Sequence, residues 1–316
     1  MALIRKLPLD FGIQFIARRS LFLAFSAFLL LGSVGLFLVQ GLNFGVDFRG
    51  GILLEVRTQG PADLGALRDR FAGLDLGEVS LQQFGEPTDV LINIRRQEGD
   101  EKAQLAAVQV ARDALGDSVE IRRQEFVGPK VGDELKRAGL LATVLALAGI
   151  GLYIWFRFEW YFSVAALIAL IHDVVATVGF YSLTQIEFNL ATLAAVLTIA
   201  GYSINDTVVI FDRVRETLRR YKKLPVNEVL NRAINLTLSR TILTSVTTLL
   251  ALGALFFFGG EVIRGFTAGL IWGVVIGTYS SVALAVPILT FMTLRRGGEE
   301  DDPTEAKAKG KAAEAS

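Results

Sequence analysis

Three observations predict a polytopic α-helical membrane protein, six transmembrane helices with one extracytoplasmic α+β domain of ferredoxin-like (βαββαβ) order between helices 1 and 2. Hydrophobic residues make up 52% of the 316, and mean hydropathy is +0.47. The apolar residues are bunched into six runs of about 20 residues or more, the length that crosses a hydrocarbon core at 1.5 Å per residue. A single long polar stretch, 41–137, interrupts them and carries the alternating pattern of a small sheet domain.

In chain order, residues 1–19 form a basic arm with Arg5, Lys6, Arg18 and Arg19, ahead of the first helix at 20–40. That helix reads as retained: its apolar run is long for a signal peptide, and its exit, FLVQGLNFGVDF, lacks a small-x-small cleavage pattern. Within 41–137, strands are expected at 44–58, 78–85, 89–96 and 118–127, with helices at 61–72, opened by Pro61, and at 100–115. The order βαββαβ is the ferredoxin-like split unit, in which two helices cover one face of an antiparallel sheet. Further helices are expected at 138–156, 161–183, 188–211, 240–259 and 265–292, giving a membrane unit at 138–292. Its loop 212–238 mixes basic residues with Leu218, Val226, Val229, Leu230 and Ile234, the composition of an amphipathic helix resting on anionic lipids. The tail, 293–316, has EEDD and an Ala/Lys/Glu mixture without apolar anchors and is expected to be disordered.

Placement of Lys and Arg gives the orientation. The arm is basic, and the 212–238 loop carries Arg213, Arg215, Arg219, Arg220, Lys222, Lys223 and Arg232, whereas the turn at 184–187 has no basic residue and 259–264 only Arg264. Both termini are therefore expected in the cytoplasm and the 41–137 domain outside. With no cysteine and one histidine, thiol catalysis and metal-ligand spacing have no material, so no metal site is expected. GVDFRGG at 45–51 is no phosphate loop, because no lysine follows its glycines. Neither an enzyme, a cofactor nor nucleic-acid binding is expected, and any energy must come from the membrane gradient or a partner.

Charged residues in lipid are the candidates for function. Thr198, Tyr202, Asn205 and Asp206 recur at spacings of three and four on the fourth helix, and Arg240, Thr244, Thr247 and Thr248 on the fifth. The helices run in opposite senses, so Asp206 and Arg240 lie toward the same end and within reach of pairing. A nearby guanidinium favours a charged carboxylate and burial a neutral one, so changing the separation changes how tightly the acid holds a proton. The alternative is a static salt bridge with Arg240 snorkelling to the headgroups. His172 and Asp173, at mid-helix, read either as a proton relay or as a hydrogen-bonded packing pair. Gly265, Gly269, Gly273 and Gly277 form a small-residue seam for helix packing. Gly45, Asp47, Phe48, Gly50 and Gly51 form an extracytoplasmic motif whose plain reading is a strand start with close backbone approach.

NFGVDFRGG after the first helix, VGPKVGDEL before the second, IHDV in the third, GYSINDTVVIFDRVRE closing the fourth and LSRTILTS opening the fifth resemble the SecF branch of the SecD/SecF family. These are bacterial protein-export membrane proteins related to the resistance–nodulation–division transporters. The resemblance covers about 40 through 290. It implies a bacterial inner-membrane subunit completing twelve helices with SecD, working at the SecYEG translocon on translocating preproteins and driven by protons. It also implies Asp206 and Arg240 as the residues of proton coupling. Two rivals are a proton-driven exporter half for lipids or small amphiphiles, and a non-transporting translocon scaffold. A lone external domain of this size argues against the exporter, whose halves typically carry two larger ones.

Overall fold

A computed structural model describes residues 12–77, 79–95, 97, 101–116 and 119–294. Most of the basic arm and the tail from residue 295, with its expected disorder, lie outside the described residues, as do the expected element ends at 78, 96, 100 and 118. A tight turn at Ile16–Arg18 opens α1 (Arg19–Gln40). The polar domain follows as α2 (Val46–Arg49), β1 (Gly51–Thr58), α3 (Leu64–Ala72), β2 (Val79–Gln83), β3 (Asp89–Arg95), α4 (Glu101–Leu115) and β4 (Val119–Val127). The membrane unit consists of α5 (Pro129–Arg157), α6 (Trp160–Thr184), α7 (Leu190–Arg220), α8 (Val226–Phe258) and α9 (Arg264–Ser280). Among the described residues, six helices are long and apolar enough to cross a membrane.

The sheet is antiparallel in the order β2-β3-β1-β4, the ferredoxin-like arrangement that βαββαβ requires. Alternation along β1 and β3 puts Ile52, Leu54, Val56, Val90, Ile92 and Ile94 on one face. There they meet Leu67 and Phe71 of α3 and Val108, Ala111 and Leu115 of α4. Asp63 caps α3 by accepting from the Gly65 and Ala66 N–H groups at 2.9 and 3.0 Å.

Two expectations are corrected. The strand expected at 44–58 starts at Gly51, because Val46–Arg49 closes one helical turn first. That turn ends in Gly50 and Gly51 at φ 71° and 134°, backbone that an L side chain adopts only with strain. Nor is 212–238 a separate amphipathic element on the membrane surface. α7 runs on to Arg220 and α8 begins at Val226. Val229, Leu230, Ala233 and Ile234 are buried against Ile210, Phe211, Val214 and Leu218. The amphipathic period is present, but the neighbouring helix covers the apolar stripe.

At that end Ile13, just ahead of α1, is gripped by α8. The Asn235 side chain accepts from the Ile13 N–H at 2.9 Å, and the Asn231 and Asn235 amides donate to the Ile13 carbonyl at 3.0 and 2.9 Å. α9 widens into a π-helical turn at Ser281–Ala285 just before Pro287. The proline has no N–H and its ring crowds the preceding turn, a mismatch that the wide turn absorbs.

Candidate functional site

α7 starts from a capping box: Asn189 Oδ1 accepts from the Thr192 N–H at 3.0 Å, and Thr192 Oγ1 accepts from the Asn189 N–H at 2.7 Å. The helix then runs unbroken to Arg220 and buries Ser203, Asp206 and Thr207 inside the bundle. Asp206 is 3% exposed. Its Oδ2 accepts no hydrogen bond among the described residues. Arg240 and Thr244 of α8 are polar groups close to it. The two charges are neighbours without forming an ion pair within 4.0 Å, and Arg240 is exposed. Asn205, Thr198 and Thr247 also face outward, so the polar stripes of α7 and α8 are open along one side of the chain. Tyr202 donates across the stripes to Thr248 Oγ1 at 3.4 Å.

His172 and Asp173 occupy a second, closed cluster, and both are 0% exposed. Asp173 Oδ2 accepts from Ser203 of α7 at 2.5 Å and from Ser280 of α9 at 2.7 Å. Its Oδ1 lies 3.0 Å from His172 Nδ1, while His172 Nε2 has no partner among the described residues. One carboxylate thus joins α6, α7 and α9. Thr207 and Ser281 extend the link through a 2.8 Å contact between their hydroxyls. Beside His172, the Tyr279 hydroxyl donates to the Phe22 carbonyl of α1 at 2.8 Å and lies 3.0 Å from Ser26 Oγ.

The glycines of α9 face α7 and the end of α6. A Cβ on Gly265 would meet Ile186 and Thr192, one on Gly269 the Tyr181 ring, one on Gly273 the Ile199 side chain, and one on Gly277 Ser203. The seam therefore brings Ser280 within reach of Asp173.

At the opposite end from the Ile13 clamp, the Gly45–Gly51 motif packs on the turn between α6 and α7. Phe44 and Phe188 pair as a short parallel bridge. Asp47 Oδ2 accepts from the Leu190 N–H at 2.8 Å. Glu187 rests against Gly45, where a side chain would collide with its carboxyl group. Burial, with the Asp47 and Glu125 carboxylates nearby, pushes the Glu187 carboxyl above its ordinary range, opposed by Arg123 and Arg49.

Sequence reasoning missed Ser203, Ser280 and Tyr279 around Asp173, and Glu187 at the junction. The Ser280–Ser281 pair in an otherwise apolar helix was the available signal, since hydroxyls in lipid seek partners across helices.

Residues 107–295 match the family model "Protein export membrane protein SecD/SecF, C-terminal", and 35–62 match "SecD/SecF GG Motif". The chain is 49% identical over 284 residues to the protein translocase subunit SecF of Magnetococcus marinus, covering 88% of this chain and 91% of that one. To the SecF subunit of Cereibacter sphaeroides it is 46% identical over 287 residues, 88% and 89% of the two chains. The crystal structure of SecDF, a translocon-associated membrane protein from Thermus thermophilus, superposes with a TM-score of 0.79 at 34% identity over 88% of this chain. The chain spans 38% of the length of that SecDF chain.

Proposed function

The chain belongs to the SecD/SecF family of protein-export membrane proteins, and from that premise we propose that it is the SecF-type half of a proton-driven SecD–SecF assembly acting on preproteins at the Sec translocon. Its role is in Sec-associated transport, and it is a multi-pass inner-membrane protein. In the proposed cycle, Asp206 takes up and releases a proton as Arg240 approaches or withdraws. The rearrangement of α7 and α8 passes to the domain at 41–137, which pulls or releases an emerging chain on the outer side.

The observation that carries this reading is the state of Asp206: buried, with its Oδ2 lacking a hydrogen-bond donor among the described residues, and with a guanidinium near it but not closed upon it. A static salt bridge would close that gap. Stranding a carboxylate in this way is costly unless it exchanges a proton or partner during function. Moving one charge across the membrane is worth about 2.3 kcal/mol per 100 mV, enough to bias a rocking motion of a few kcal/mol. The open stripe of Thr198, Asn205, Arg240 and Thr247 supports a partner, since polar side chains at membrane depth need protein or water against them. SecD is that partner in the proposal. His172 and Asp173 enter as the second polar centre of the same bundle. The basic residues of the arm and of the α7–α8 connection support placing both termini in the cytoplasm, with Arg219, Arg220, Lys222 and Lys223 at the level of anionic headgroups.

The test arrests a preprotein partway into vesicles by removing ATP, then imposes a proton gradient. Wild type and Asp206→Asn are compared with SecD present and equal assembly verified. Loss of gradient-driven completion in the variant is expected. Completion equal to wild type makes the acid structural, and the chain a translocon scaffold.

A further inference from the structure

The geometry points to the Gly45–Gly51 motif as the joint that fastens the external domain to the outer end of α7, with Asp47 as the positioning residue that holds it closed. This rests on the coupling reading above and gives it a mechanical path.

The motif is stitched to the α6–α7 turn by backbone and side chain alike. The Gly45 N–H donates to the Phe188 carbonyl at 2.9 Å, and the Phe188 N–H to the Asn43 carbonyl at 2.7 Å. Asn43 Nδ2 donates to the Gln185 carbonyl at 3.0 Å, and Ser182 Oγ to the Gly41 carbonyl at 2.8 Å. Beneath these bonds the Phe44, Phe48 and Phe188 rings form a wedge with centroids 5.8–6.0 Å apart, and Tyr181 meets Phe188 at 5.4 Å. From the other side, α5 presses on the motif: a Cβ on Gly132 would lie 3.0 Å from the Phe48 carbonyl oxygen and 3.2 Å from the Gly50 nitrogen.

Asp47 completes the joint. The capping box of α7 uses the Asn189 and Thr192 side chains, and the N–H of Leu190, the first helical residue, is taken by Asp47. A helix start leaves several donors unpaired and carries the positive end of the dipole, so a carboxylate there is held by both. The single turn Val46–Arg49 aims Asp47 at Leu190, and the positive φ of Gly50 and Gly51 returns the chain from that turn into β1. About 24 Å of unbroken helix at 1.5 Å per residue separates Leu190 from Asp206. A displacement of α7 at Asp206 therefore arrives at the joint as a displacement of the domain.

The chain has no native cysteine, so Ala106→Cys on the exposed face of α4 and Thr184→Cys at the end of α6 accept spin labels, in the full chain with a cysteine-free SecD partner. Expected is one narrow distance in the parent, loss of that narrow distance in Asp47→Ala, and its return in Asp47→Asn, whose side-chain carbonyl still accepts from Leu190. Gradient-driven completion follows the same order. An Asp47→Ala variant that keeps the narrow distance overturns the proposal. So does one that loses the narrow distance yet completes translocation like a parent whose completion depends on Asp206. If Asp206→Asn also completes like the parent, the coupling reading fails and the joint is judged on distance alone: a narrow distance in Asp47→Ala sinks it and a lost one upholds it. Should Asp47→Ala fail to assemble, a disulfide between Phe44→Cys and Phe188→Cys locks the joint. Gradient-driven completion that survives oxidation supports a joint that stays closed; loss on oxidation with recovery on reduction overturns it.

Discussion

Asp173→Ala removes two hydrogen bonds that cross between helices, from Ser203 of α7 and Ser280 of α9, together with the His172 contact within α6. Interhelical bonds in membranes contribute about 0.6 kcal/mol each, with a ceiling near 1.7, so two predict a loss of about 1–3.5 kcal/mol. The lower half of that range is expected, because Ser280 already lies 3.2 Å from the Gly277 carbonyl and falls back on it when the carboxylate is gone. Asp173→Asn keeps an oxygen for the two hydroxyls and turns its NH₂ toward His172 Nδ1, which accepts it after a change of tautomer. Its cost is expected to stay under about 1 kcal/mol. Equilibrium unfolding in mixed micelles measures both variants. Trp272 is a convenient reporter, because its indole N–H donates to the Ala176 carbonyl at 3.2 Å across the same α6–α9 contact. An Asp173→Ala variant as stable as the parent would refute the claim that the cluster ties three helices together. Equal losses for Ala and Asn would show that charge, not acceptor count, stabilises the site.

Gly273→Leu drives a side chain into Ile199 of α7, so the same unfolding measurement should show a loss of about 1–3 kcal/mol, partly restored by Ile199→Ala; parent-like stability would remove the seam's packing role. In the sheet domain, Arg57 grips Asp89 at 2.5 and 2.7 Å and holds its carboxyl below the ordinary value of 3.8. A folded pKa lowered in this way adds stability above the unfolded pKa and loses it as pH falls through the folded one, so protection of β1 and β3 should be flat from about pH 7 to 5 and decline below about 4. Hydrogen exchange corrected for intrinsic rates checks this, and an unchanged decline in Asp89→Asn would sink it.

Most of the architecture is written in local pattern: apolar runs give the six helices, and alternation with turn residues gives the sheet and its two covering helices. Reach along the chain separates what was legible from what was not. Asp206 and Arg240 were placed at one end of the bundle by spacing, but their separation depends on the rotation of α7 and α8, which no period encodes. The partners of Asp173 stand 30 and 107 residues away on other helices. Asp47 holds a backbone group 143 residues distant, from a turn of four residues too short to show any periodicity. In 212–238 the amphipathic period was legible while its partner was not: a stripe of Val and Ile looks the same whether lipid or a neighbouring helix covers it.

The grip of Asn231 and Asn235 on Ile13 also sets an order of biogenesis. The two sides of that clamp are 222 residues apart in the chain. At roughly 5–20 residues per second, the ribosome needs on the order of 10–45 s after making Ile13 before Asn235 exists. Throughout that interval the first helix enters the membrane with its leading segment unclaimed, and only the arrival of α8 fastens it. The segment just ahead of α1 is thus among the last parts to be fastened, and a nascent chain halted before α8 carries a first helix without this anchor.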